Sequence, residues 1–269
     1  MRVLAVNDIS CIGKCSLSVT LPILSACGIT CDILPTALLS PHTGGFTGYT
    51  FRDLTEDIKG ILSHWKTLGV QFDVIYSGYL GSKEQIRLLS YIKQEFLAEK
   101  GLFIVDPVMG DSGSLYDGFD DSYVVEMRNL CKTADYILPN FTEACFLAGV
   151  TYGEKNLSLL FKNLQTLCPR PIVTGIVDNN ENSVYFSENG KIKRYFSENV
   201  EGFFCGAGDV FASAFVGAIA RGKSEKDALR LATDFVSKSI RRSAKEVADK
   251  RYGLNFEKEI YPFLKKLNS

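Results

Sequence analysis

Short apolar runs alternate along the chain with longer segments that are apolar on one side only. That is the pattern of strands buried on both faces and helices buried on one. Residues 2–6 read as a strand that ends in the polar loop Asn7-Asp8-Ile9-Ser10-Cys11-Ile12-Gly13. A helix is expected over residues 16–27, closed by Gly28, and a second strand over residues 29–34. This β-loop-α-β opening is the unit of a parallel sheet, in which ligands bind outside the carboxyl ends of the strands. Helical spacing of Leu54, Ile58, Ile61, Leu62, Trp65 and Leu68 predicts a helix over residues 52–68, and His64 packs at its flank. Further strands are expected at 72–76, 102–105 and 136–138, with helices at 83–99 and 120–131 and another opening at Pro139-Asn140-Phe141-Thr142-Glu143. One more strand ends at Ile172-Val173-Thr174-Gly175. Residues 183–196 then form two β runs around Glu188-Asn189-Gly190, and Asn-Gly predicts a hairpin, so the sheet gains an antiparallel edge. The nearly all-apolar stretch from Asp209 to Ala220 is a buried helix. Another follows over 224–242, and a short one closes the chain after Asn255.

Composition narrows the class. With 46% hydrophobic and 23% charged residues over 269 positions, the chain is globular, and it shows no repeat or linker, so residues 1–269 are expected to form a single α/β domain. A net charge of −1 gives no long-range attraction for nucleic acid or an acidic membrane surface. The first apolar run is too short for a signal peptide and no later one reaches membrane-span length, which points to the cytoplasm. Eight cysteines are then expected as reduced thiols. Cys11 with Cys15, and Cys27 with Cys31, have C-x3-C spacing, but the surrounding segments read as glycine loop, helix and strand rather than a zinc knuckle.

The candidate chemistry lies at strand ends. Gly206, Ala207 and Gly208 bring bare main-chain N–H groups to a helix start, a site for an anion, and Asp209 follows immediately. Asp209 reads either as a helix N-cap or as a general base that takes a proton from a substrate hydroxyl during phosphoryl transfer. Asp106 and Asp111 flank a turn rich in Pro and Gly, which suits either hydrated Mg2+ or simple Asx turns. Asn140 and Glu143 have capping-box spacing at another strand end, where they could also serve a phosphate and a metal-bound water. Thr174 offers a hydroxyl for a phosphate. Residues 40–50, with His42 and Thr43, read as a loop or short edge strands near a ligand, and Tyr79 between Gly78 and Gly81 could stack on a flat ring.

Taken in order, the glycine loop, the Gly/Thr loop, Asp-Pro-Val-Met-Gly-Asp, Pro-Asn-x-x-Glu, Val-Thr-Gly and Gly-Ala-Gly-Asp resemble the ribokinase superfamily, in its vitamin-kinase branch of pyridoxal and hydroxymethylpyrimidine kinases. The resemblance runs from Val3 to about Arg242. It implies a three-layer α/β/α domain and transfer of phosphate from ATP to a hydroxymethyl group. Asp209 would be the catalytic base and Gly206, Ala207 and Gly208 its anion hole. Asp106, Asn140, Glu143 and Thr174 would serve the nucleotide, and Asp111 and Glu143 a Mg2+ ion. Ser40-Pro41-His42-Thr43 and Ser77-Gly78-Tyr79-Leu80-Gly81 are similar to pyridoxal kinase segments, so Asp8, Ser10, His42, Thr43 and Tyr79 would hold a B6 vitamer. The alternatives are hydroxymethylpyrimidine kinase or a binder without catalysis. The same resemblance implies a homodimer and leaves room for a monovalent cation. Three departures stand out: the loop Asn7–Gly13 is intermediate between the two branches, which leaves open whether Asp8 or Ser10 touches the ring, and Leu138 and Cys205 occupy positions where many relatives carry Thr.

Overall fold

Along β1 (Arg2–Ser10), successive residues enter two different cores, Val3 and Ala5 one, Leu4 and Val6 the other. A strand buried on both faces requires a helical layer on each side of the sheet. The computed structural model describes residues Met1–Ser269 and shows those layers. After β1 come α1 (Leu17–Ala26), β2 (Thr30–Ser40), β3 (Thr50–Asp53), α2 (Thr55–Leu68), β4 (Phe72–Ser77), α3 (Lys83–Phe96) and β5 (Leu97–Val105). A small hairpin of β6 (Gly110–Asp111) and β7 (Ser114–Leu115) precedes α4 (Asp121–Cys131), β8 (Tyr136–Ile137), α5 (Phe141–Ala148) and α6 (Leu157–Leu164). The chain ends with β9 (Ile172–Asp178), β10 (Glu181–Glu188), β11 (Lys191–Glu198), α7 (Ala207–Ala220), α8 (Glu225–Glu246) and α9 (Glu257–Leu267).

The main sheet has the order β3-β2-β1-β4-β5-β8, parallel throughout except that β3 runs antiparallel to β2. Isolated parallel bridges at Ile137–Pro171 and Asn140–Thr174 attach β9, which begins the antiparallel sheet β9-β10-β11. The antiparallel edge therefore forms at both ends, and Asn189 (φ 52°) with Gly190 (φ 72°) makes the expected tight turn between β10 and β11. Helices α2 to α6 cover one face and α1, α7, α8 and α9 the other.

Four boundaries depart from the sequence expectation. β1 runs past residue 6 to Ser10, because Asn7, Ile9 and Ser10 pair with β2, so Asn7, Asp8 and Ser10 lie on the strand and not in a loop. β2 runs past residue 34 to Ser40, because Pro35 lies where the β1–β2 register shifts between Asn7 and Ile9, so its missing N–H breaks no regular ladder. β3 occupies positions 50–53, so α2 starts at Thr55 rather than residue 52. β5 begins at Leu97 inside the expected helix 83–99, since pairing of Leu97 with Phe72 overrides the helical preference of Leu-Ala-Glu-Lys. Helix α6 had no expectation at all.

Helix α7 is buried almost all round, and Phe215 at its middle meets the Tyr136 ring edge-on at 5.3 Å. Phe215→Ala should cost about 3–5 kcal/mol in urea unfolding, the range for a buried Phe truncation; a cost under about 1 kcal/mol would contradict this packing.

Candidate active site

The carboxyl ends of the parallel strands gather the polar residues. β1 brings Asn7, Asp8 and Ser10, β4 leads to Tyr79, β5 to Asp106, β8 to Asn140, and β9 carries Thr174. Helix α7 points its first turn at the same edge. Gly206, its N-cap, has φ 75°, and a Cβ there would lie 2.1 Å from the Lys14 carbonyl oxygen, so only glycine lets the helix approach this closely. The Ala207 N–H is taken by the Phe204 carbonyl at 3.3 Å, while those of Gly208 and Asp209 have no carbonyl partner in the fold. Two unpaired donors at a helix start, with the helix dipole behind them, are suited to an anion.

Asp209 sits half-buried beside them. Burial raises its carboxyl to about 7, with the charges of Asp8 and Cys205 adding to the rise, while the Ser16 backbone and the Asn7 side chain oppose it. A carboxylate near neutrality is tuned to accept a proton from an alcohol. Asp8 is buried, accepts from Ser10 Oγ at 3.3 Å, and is raised mainly by burial against hydrogen bonds from Ser16 and Ser10. Asp106, also buried, is raised well above the usual range by burial and by the charges of Glu143 and Asp209.

Glu143 and Asn140 form the full capping box of α5. Glu143 Oε2 accepts from Asn140 N at 2.8 Å and its Oε1 from Met109 N at 3.1 Å, while Asn140 Oδ1 accepts from Glu143 N and its Nδ2 donates to the Gly110 carbonyl. Burial nevertheless lifts Glu143 to about 8. Both side chains are thus spent on holding the β6 turn against α5. Thr174 pairs across to Asn140 and stays half-buried with its hydroxyl free of partners. Asp111 Oδ1 accepts from Ser112 N at 2.7 Å and is partly exposed.

After β4, Tyr79 is half-buried and begins an aromatic row, 5.9 Å from Phe119, which stacks on Tyr123 at 3.9 Å. Thr43 is exposed. His42 is buried, and its two nitrogens meet the backbone: Gly44 N donates to Nδ1 at 3.0 Å, and Nε2 lies 2.8 Å from the Arg251 carbonyl. Those partners assign the neutral Nε2–H tautomer. The two C-x3-C pairs do not form units, yet Cys15, His42 and Cys205 converge, their ligand atoms within 4.8 Å of one another. Cys205 Sγ is nearly equidistant from Nδ1 (3.6 Å) and Nε2 (3.5 Å), which puts it against the ring face rather than on a nitrogen lone pair. A shared metal would need the ring to turn and give up both backbone bonds.

Sequence reasoning passed over Asn7 and Ser16. Asn7 is fully buried between β1, β4 and α7, and Ser16, at φ 53° before α1, touches both Asp8 and Asp209. A non-glycine residue with positive φ is a strained choice that marks such places, but only structure reveals it.

A carboxylate beside unpaired helix-start amides at the sheet's carboxyl edge suits phosphoryl transfer to a small molecule. Residues 27–254 match the phosphomethylpyrimidine kinase family model, and the chain belongs to that family, within the ribokinase superfamily that its motifs resemble. A Bacteroides thetaiotaomicron structure provisionally named a phosphomethylpyrimidine kinase, in an orthorhombic form with pyridoxal, is 36% identical with TM-score 0.90 over 100% of this chain and 96% of its own. Pyridoxal kinase from Lactobacillus plantarum is 31% identical, TM-score 0.92, over 98% and 96%. Pyridoxal kinase of Dictyostelium discoideum is 25% identical over 80% of this chain and 77% of its own.

Because the folded protein holds the Asp209 proton up to about 7, against 3.8 for an ordinary Asp, folding stability falls as pH rises between those values. Asp209→Asn should therefore melt above wild type at pH 8, each 1 kcal/mol moving Tm by roughly 2–4 °C. The gap should narrow as pH falls toward 4 and vanish below the unfolded value, where the carboxyl is protonated in both states. A pH-independent gap in scanning calorimetry would contradict the assignment.

Proposed function

We propose that the protein is an ATP-dependent pyridoxal kinase, which transfers the γ-phosphoryl group of ATP to the 5′-hydroxymethyl oxygen of a B6 vitamer. The observation that carries this reading is Asp209 at the head of α7, beside the unpaired N–H groups of Gly208 and itself. The alcohol proton passes to Asp209 as phosphorus moves across, and the amides offset charge on the transferring oxygens. Asp106, Thr174 and the α5 cap line the nucleotide side. Tyr79 with its aromatic row, together with Asp8 and Ser10, lines the ring side, and His42 holds the adjoining loop through Gly44 and Arg251 so that Thr43 faces the entrance. The vitamer is preferred over hydroxymethylpyrimidine because a relative 36% identical over the whole chain was obtained with pyridoxal and a second is a pyridoxal kinase.

Mg2+ fits the acidic side of the site. Glu143 and Asp209 raise Asp106, Asp111 raises Glu143, and Asp8 and Cys205 raise Asp209, with no basic side chain among these causes, so a divalent cation would relieve the repulsion. Asp106 and Asp111 are the carboxylates free to hold it, and bound there it would neutralise phosphate charge. Glu143, with both oxygens on main-chain N–H groups, supports the turn that presents them.

No helix is long and apolar enough to cross a membrane. Residues 1–269 act as one kinase unit in this reading, in the cytoplasm, where the eight free thiols stay reduced. Leu38, Tyr49 and Phe51 stand exposed along the β2–β3 edge, an apolar margin that supports a homodimer.

Asp209→Asn should keep ATP and vitamer binding in calorimetry while kcat falls about 10²–10⁴-fold, the share of a general base. Near-normal turnover would remove Asp209 from the role. Wild-type kcat/KM should be highest on pyridoxal, pyridoxamine or pyridoxine. A higher value on hydroxymethylpyrimidine would turn the reading to the thiamine branch, and binding without ATP consumption to a non-catalytic binder.

A further inference from the structure

Asn7 lies at the end of β1, fully buried, with every polar atom of its side chain committed. Its Oδ1 accepts from Asp8 N at 3.0 Å and from Tyr79 N at 2.8 Å, two main-chain donors on different strand ends. Since both partners are N–H groups, the orientation of the amide is fixed, and Nδ2 must turn the other way. There it meets Asp209 Oδ1 at 3.4 Å. β4 leaves room for this: a Cβ on Gly78 would lie 2.2 Å from Asn7 Nδ2, so the residue beside the amide must be glycine. One buried side chain therefore joins the ring-side residues Asp8 and Tyr79 to the carboxylate of α7.

We propose that Asn7 is a positioning residue that aims the Asp209 carboxylate at the substrate alcohol and favours its ionised, proton-accepting form. The inference rests on the kinase reading for what Asp209 does, though not for where Asn7 points. An N–H donor binds a carboxylate more strongly than it binds the carbonyl oxygen of the protonated acid, so it favours the ionised form. It does so without a positive charge. A Lys or Arg in the same seat would pair with Asp209 and depress its basicity far below the working pH. The other groups acting on or felt by Asp209 are Asp8, Cys15, Tyr76, Asp106, Tyr116 and Cys205, none of them cationic. The Ser16 backbone gives the larger opposing contribution, and Asn7 is the side-chain donor that adds to it.

The isosteric variant Asn7→Asp keeps acceptors for Asp8 N and Tyr79 N, removes the Nδ2 donor, and sets a second carboxyl group beside the first. Two such groups share a proton and titrate as a pair. In pyridoxal phosphorylation the acidic limb of kcat against pH should then move up by about one unit or more, with kcat down at least about tenfold at pH 6.5 and recovering toward pH 9. KM for ATP should stay unchanged. Gly78→Ala, which displaces the Asn7 amide without altering Asn7, should move the limb the same way, so that the test survives if one variant folds poorly. The 13C titration of the Asp209 carboxyl in both variants reads the same shift without turnover. A limb and a titration that coincide with wild type, even with activity uniformly lowered, would overturn the role of Asn7. Wild-type protein with no kinase turnover would sink the kinase reading instead and leave the carbon titration to judge Asn7.

Discussion

The site depends on how closely α7 enters the carboxyl edge of the sheet. Gly206 passes against the Lys14 carbonyl at a distance no side chain would allow, and this brings unpaired amides and a carboxylate to the end of β1. The approach is held from behind by Val210, Phe211, Ala214 and Phe215, all buried in the core that α7 shares with α1 and α8. Burial of that helix therefore does two things at once. It stabilises the fold, and it withdraws Asp209 from water far enough to raise its affinity for a proton.

The same burial sets the electrostatics of the whole edge. Asp8, Asp106, Glu143 and Asp209 are all pushed up, mainly by desolvation, and no Lys or Arg is placed among them. An edge built for stability alone would pair these charges. Left unpaired, they form a destabilised cluster whose natural complements are cations and the polarised phosphates those cations accompany. Main-chain N–H groups and neutral side chains do the internal balancing: Met109 and Asn140 for Glu143, Ser10 for Asp8, Asn7 and Ser16 for Asp209. The fold thus raises its acids while fixing where each one points.

Much of this was legible in the chain, and apart from α6, a short helix with its own local cap at Asn156, the exceptions share one cause. Most of the order of strands and helices followed from periodicity, without α6 or the β6–β7 hairpin, and the strand-end motifs at Asp106, Asn140 and Asp209 were readable because local turn and cap chemistry marks them. Asn140 and Glu143 showed both of their readings in the spacing, and the structure adds that the capping bonds are made. The features that escaped are non-local. Asn7 binds residues 72 and 202 positions away, and next to Asp8 in a glycine loop it reads as an ordinary turn residue. The meeting of Cys15, His42 and Cys205 likewise joins three distant segments. β2 and β5 outran their expected limits because pairing partners, not local propensity, decide where a strand stops.

The central claim is that the Asp209 carboxylate and the α7 amides face one alcohol and one phosphate together. A crystal structure with pyridoxal and a non-hydrolysable ATP analogue measures this directly. The account predicts the vitamer's hydroxymethyl oxygen within hydrogen-bond reach of Asp209, about 2.6–3.2 Å, and the terminal phosphate on the Gly208 and Asp209 N–H groups. A vitamer whose hydroxymethyl group points away from Asp209, or a terminal phosphate bound away from the start of α7, would contradict it.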